Sequence, residues 1–162
     1  MIGSTIENLL LENQSDFLIS ADKVAHVMDT NPLTHALLVL SKVRYSKIPV
    51  LNAQDELVGF IGLTNIVDEM FDLDEVEPNN LNDKKVADVM DVDITFINNT
   101  SDVERLFHLA VDHPFIPVSD ENNKFMGIVT RKELLKAVNH LMHTLGNDYD
   151  LKPKKVEIRK FG

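Results

Sequence analysis

Ile48-Pro49-Val50, a turn, then Leu57-Val58-Gly59-Phe60-Ile61: this stretch decides the fold, because the chain contains it twice. Ile116-Pro117-Val118 is followed by a second turn and by Phe125-Met126-Gly127-Ile128-Val129. The copies lie 68 residues apart, and the step from Pro to Gly is ten residues in both. A fixed-period repeat is a property of the whole architecture. It implies two similar modules that pack on each other and leave clefts between their halves.

Working outward, residues 47–51 and 57–61 read as a hairpin through Asn52-Ala53-Gln54-Asp55. Before it, Asn31 is expected to cap a helix with Pro32 in its first position. The apolar face of that helix is Leu33, Ala36, Leu37 and Leu40. Val24-Ala25-His26-Val27 reads as a short strand. A helix is expected over 64–71, and an amphipathic one over 5–14 with Ile6, Leu9 and Leu10 on one face. In the second copy, 85–90 reads as a short helix and 94–97 as a strand. Ser101 is the expected cap of a helix that turns Val103, Leu106, Phe107 and Ala110 inward. Strands over 115–118 and 125–129 lead into a helix over 131–145 whose inward residues are Leu134, Leu135, Val138 and Leu141.

The 162 residues carry 26 acids against 16 bases, a net charge of −10. That excludes general nucleic-acid binding, which needs a basic field, but allows an anion in one local basic pocket. Cysteine is absent, so disulfide and thiol chemistry are excluded. The start lacks a basic region and an apolar run, and no stretch approaches the ~20 apolar residues that span a bilayer. The expectation is a cytoplasmic protein without a membrane segment. Six acids (Asp68, Glu69, Asp72, Asp74, Glu75 and Glu77) mark a linker, read as a solvated connection or, alternatively, a docking surface. The expected divisions are an N-terminal helix to 16, modules over 17–72 and 85–145, the linker over 73–84, and a basic tail over 146–162.

No set of residues here suggests catalysis: there is no Gly-x-Ser-x-Gly, no Walker-type loop and no paired carboxylates in a defined pocket. His140 and His143 stand three apart on one helix, but no third ligand accompanies them, so no metal is expected.

The order β-α-β-β-α, twice, with an apolar-Pro-Val strand and a Gly-apolar-apolar strand running into a helix, resembles the CBS domain. Two in tandem resemble a Bateman module, an α/β (α+β) fold with a pseudo-twofold axis. The stretch Ala21-Asp22-Lys23-Val24-Ala25-His26-Val27, with His35-Ala36-Leu37-Leu38-Val39-Leu40 and Tyr45, is similar to the small stand-alone tandem-CBS receptors for cyclic di-AMP of Gram-positive bacteria. The resemblance implies a ligand-controlled regulator rather than an enzyme, dimerising into a flat four-CBS disk. It points to targets such as the Rel-type (p)ppGpp synthetase/hydrolase or pyruvate carboxylase. No cofactor is implied. The helices after the hairpins, led by Ile66, Met70, Leu134 and Val138, are candidates for a dimer face or for the modules' own cores.

The resemblance also implies two clefts. The first would combine Lys23, Val24, Ala25 and His26 with Tyr45, Ser46, Lys47 and Ile48, and with Thr130, Arg131, Lys132 and Glu133 from the second repeat. Strand amides and carbonyls would read an adenine edge, and Tyr45 would offer a ring face. Thr130 at a helix start, with Lys23, Arg131 and Lys132, would favour phosphate. Glu133 stands where the family carries a ribose-binding Asp. Each of these residues also has a plainer reading: Tyr45 as a core cap, Thr130 as an N-cap, His26 as a packed ring and the bases as solvated charges. In the second cleft (Thr95, Phe96, Ile97, His113, Pro114 and Phe115) the Thr and Asp positions are Gly62 and Asn65. No base stands on its strand or turn, so it is expected to be empty or weak. Cyclic di-AMP is the expected ligand, with AMP, ADP or ATP as the alternative and a ligand-free scaffold as a third reading.

Overall fold

The computed structural model describes residues 2–12, 17–71 and 77–153. Linker acids Asp72, Asp74 and Glu75, and tail bases Lys154, Lys155, Arg159 and Lys160, lie outside these residues. Helix α1 (Ser4–Glu12) precedes strand β1 (Leu18–Ser20) and a single 3-10 turn, Ala21–Lys23. The first repeat continues with β2 (Val27–Met28), α2 (Leu33–Lys42), β3 (Lys47–Leu51), β4 (Leu57–Gly62) and α3 (Leu63–Met70). Two short helices follow, α4 (Asn80–Asp83) and α5 (Val86–Val89). The second repeat has α6 (Val103–Asp112), β5 (Phe115–Ser119), β6 (Phe125–Thr130) and α7 (Arg131–Asp148).

Each repeat builds a sheet that the other completes. In the first, β2 runs parallel to β3, which pairs antiparallel with β4. In the second, β6 lies between β5 and β1, and β1 comes from the other end of the chain, Ile19 opposite Ile128. The reverse exchange is a single bridge, Phe60 with Asp91, held by N–H to carbonyl bonds of 2.9 and 2.8 Å. The pseudo-twofold pattern is therefore written into the strand pairing as well as the sequence.

Alternating strand faces and helix stripes produce three apolar clusters. One joins Leu9, Leu10 and Phe17 to the second repeat's Leu106, Ile116, Val129 and Leu134. A second holds the first repeat around Leu33, Ile48, Ile61 and Ile66, with Leu81 and Val86 from α4 and α5. The third lies between the repeats: Val24, Leu51, Phe60, Phe115, Phe125 and Ile128.

Several local expectations are corrected. Of residues 24–27 only Val27 is strand, because the 3-10 turn closes with Val24 N–H on Ala21 O and holds the backbone out of a ladder. The expected strand over 94–97 reduces to one parallel bridge from Ile97 to Val118. Asn31 does not cap α2; its Oδ1 accepts from Met28 N–H at 2.8 Å and closes a turn, and Pro32 takes the cap position. Asp102, not Ser101, caps α6, accepting from Arg105 N–H at 3.1 Å. Ile6 and Leu135 face outward, Leu135 at 60% exposure. Ile66 and Leu134 are buried inside their own repeats, so they belong to the modules' cores. The linker is partly structured: Asp68 and Glu69 lie on α3, and Glu69 is ion-paired with Lys84.

Candidate functional site

The first cleft forms where the 3-10 turn, the loop before β3 and the β6–α7 junction approach one another. The turn sits against β6 because β1 is that strand's partner, Ser20 opposite Gly127. Lys23, at the turn's end, is exposed. Beside it the Ser20 hydroxyl, and further the Lys23 charge, hold the exposed Asp22 carboxyl below its ordinary pKa. Val24 is buried in the inter-repeat cluster and Ile48 in the first repeat's core. What these two offer a ligand is backbone. Ala25 is half-buried and His26 is exposed. The His26 ring has its Nδ1 3.0 Å from Val24 O and meets Phe125 edge-on at 6.5 Å.

Tyr45 and Ser46 are exposed in the loop before β3. The Tyr45 ring meets Phe115 edge-on at 6.2 Å, and Phe115 pairs with Thr130 across the β5–β6 ladder. These contacts carry the first repeat's loop to the second repeat's helix start. Thr130 caps α7, its Oγ1 accepting from Glu133 N–H at 3.3 Å, and is 8% exposed. Arg131 and Lys132 follow, both exposed. Arg131 Nε donates to Ala110 O at 2.7 Å and Nη2 to Val111 O at 3.2 Å, so the guanidinium is anchored on the end of α6. Glu133 is ion-paired with Lys136 at 2.7 Å. The segments around this junction carry Lys23, Tyr45, Arg131 and Lys132, all exposed, beside the start of α7; cations and a helix start are groups that favour phosphate.

The second cleft is a partly open cavity of about 100 Å³ lined by Lys47, Phe60, Thr95, His113 and Phe115, among others. Small-molecule sites run to roughly 300 Å³ and above. The turn expected to face a ligand here is engaged within the protein. Asn65 Oδ1 accepts from Gly62 N–H at 2.9 Å, and its Nδ2 donates to Val89 O at 3.3 Å. Met90 packs on Gly59, where even a β-carbon would come within 2.8 Å of its sulfur. Lys47, expected in the first cleft, lines this cavity instead, its Nζ 4.8 Å from the Phe60 ring centre. Lys47 opens β3, and the sequence gives no sign of which cleft its side chain enters.

No group of three or more His, Asp or Glu side chains among the described residues is placed to hold a metal ion. No helix among them is long and apolar enough to cross a membrane.

Known proteins place this architecture. The CBS domain profile matches residues 16–72 and 86–140. The chain is 37% identical over 145 residues to cyclic di-AMP receptor B of Bacillus subtilis, covering 90% of this chain and 99% of that one. It is similar to the crystal structure of the CbpB protein of Listeria monocytogenes in complex with c-di-AMP: 47% identity, TM-score 0.73, 82% of this chain and 97% of that one. It is also similar to CbpB from Streptococcus agalactiae: 31% identity, TM-score 0.83, 94% and 96% covered. With two CBS repeats that each complete the other's sheet, the chain belongs to the CBS-domain family as a tandem, Bateman-type module.

Proposed function

We propose that this chain is a regulatory receptor for cyclic di-AMP, that the ligand binds the first cleft, and that the bound state controls target proteins through contacts rather than catalysis. The observation that carries the reading is the asymmetry between the clefts. The turn that carries Lys23 packs on β6, and Tyr45 packs on Phe115 of the same hairpin, which runs into Thr130, Arg131 and Lys132, while the other cleft is small and its Asn65 is already bonded to Gly62 and Val89. The relative in Bacillus subtilis, named as a cyclic di-AMP receptor over almost its whole length, supports it. Two phosphates also use three cations better than one phosphate does.

The ligand needs only to favour one conformation over another to act as a signal. The receptor works as a cytoplasmic homodimer. Phe107, Val111 and Leu135 line an apolar groove between α6 and α7, with Val111 74% exposed, and a second copy is the occupant proposed for it. Targets of the Rel-type synthetase/hydrolase or pyruvate carboxylase class fit a receptor of this kind.

A thermal-shift screen with cyclic di-AMP, cyclic di-GMP, AMP and ATP tests the reading. Ligand at 100 times its Kd stabilises a fold by roughly 2.7 kcal/mol, a shift of several degrees. A shift selective for cyclic di-AMP is expected. A larger shift with AMP or ATP makes the protein an energy sensor, and no shift with any nucleotide leaves a scaffold.

A further inference from the structure

We infer that the end of α6 holds Arg131 ready for its ligand, and that ligand occupancy is passed through Arg131 back to that helix; this rests on the receptor reading above. An α-helix leaves its last four carbonyls without partners inside the helix. In α6 the Leu109 carbonyl is taken by His113 N–H at 2.9 Å. The next two, Ala110 and Val111, are taken by the Arg131 side chain. Arg131 N–H also donates to Pro114 O at 2.9 Å, which fixes the loop leaving α6. The last turn of α6 contains no basic residue of its own. Arg131 supplies from α7 the cation that the negative end of the α6 dipole favours.

The geometry leaves the other side of the guanidinium available. A guanidinium carries five N–H donors. Nε and one hydrogen of Nη2 face the α6 carbonyls, and the end-on pair formed by Nη1 and the second hydrogen of Nη2 remains. That pair suits two phosphate oxygens. The plane of the ring of donors is set before the ligand arrives, so less rotamer freedom is lost on binding. Because the carbonyl-bound rotamer is the one that favours the ligand, the ligand favours that rotamer by the same free energy in return. Ligand binding should therefore tighten the last turn of α6 and residues 113–114. Arg131 is also a wall of the groove that holds Val111 and Leu135, so the change reaches the outer surface.

Hydrogen–deuterium exchange on the full-length chain, with and without cyclic di-AMP, tests this. Arg131→Met and Arg131→Lys are the variants; lysine keeps the charge but cannot bridge both sides. Occupancy is checked by titration, and ligand is raised until each protein is saturated. In the wild type, residues 109–115 should exchange at least about threefold more slowly with ligand. In both variants that segment should exchange faster than wild type without ligand and show no ligand-dependent slowing. The inference is overturned if the wild-type segment does not respond to bound ligand, or if either saturated variant responds as wild type does. Failure of the wild type to bind cyclic di-AMP at all overturns the receptor reading itself, and the relay with it.

Discussion

A β-carbon on Gly127 would stand 2.0 Å from the carbonyl oxygen of Ile19, and Gly127 has a φ of +144°. Ile19 leads the first repeat and Gly127 lies mid-strand in the second. In the first repeat the counterpart, Gly59, meets Asp91 O and Met90 Sδ, each at 2.8 Å from a built β-carbon. The glycine repeated in the sequence marks the point where the other repeat's leading segment crosses.

Gly127→Ala should therefore destabilise the fold by more than about 2 kcal/mol, since the backbone conformation alone costs 1–3. Gly146, on α7 with nothing within 4 Å of a β-carbon, is the control. Gly146→Ala should be neutral or stabilise by up to about 1 kcal/mol. Equilibrium urea unfolding of both reads the difference; equal midpoints would contradict the crossing.

Phe17 is 2% exposed and packs with the second repeat although it stands at the start of the first. Phe17→Ala should cost about 3–5 kcal/mol. Under partly destabilising conditions, amide exchange should rise first in β5 and β6. A rise confined to β3 and β4 would show that the N-terminal segment serves its own repeat.

The repeat, the two hairpins and the long helices were legible because their signals are local. Pro-Val strands, turns and 3.6-residue stripes need no knowledge of the partner. Strand β1 escaped notice because its three residues gain meaning only from β6, more than a hundred positions later. The expected caps at Asn31 and Ser101 each lie one residue early: Asn31 spends its own side chain on a turn with Met28, and the neighbouring Asp102 caps α6 in place of Ser101. The sequence reading turns Leu135 inward beside Leu134, yet a step of one residue turns a helix by about 100°. At the site, the sequence named the bases but not their directions. Neither the anchoring of Arg131 on α6 nor the entry of Lys47 into the second cavity has a local signature.

Lys23 and Glu133 separate electrostatic recognition from sugar recognition. Lys23→Ala should weaken cyclic di-AMP binding about tenfold, the loss of one charge-assisted bond. Glu133→Gln should change affinity by less than about threefold, because its carboxylate is already bound to Lys136 and an exposed pair contributes little. Isothermal titration reads both. An equal loss in the two variants would place Glu133 on the ligand.

The Asp22 carboxyl gives a check on the turn that carries Lys23. Its pKa is lowered chiefly by the Ser20 hydroxyl. A depressed value favours the folded state above the unfolded pKa, and that contribution is lost as pH falls through the folded value. Ser20→Ala should move the Asp22 pKa upward in a carboxyl-carbon NMR titration. No movement would mean the hydroxyl does not reach it.

The most direct test of the central claim is an isothermal titration of cyclic di-AMP into the purified chain, repeated in excess ATP. One ligand per chain, with affinity little changed by ATP, is the expected result. Two ligands per chain, or displacement by ATP at comparable concentration, would contradict the assignment of cyclic di-AMP to the first cleft alone.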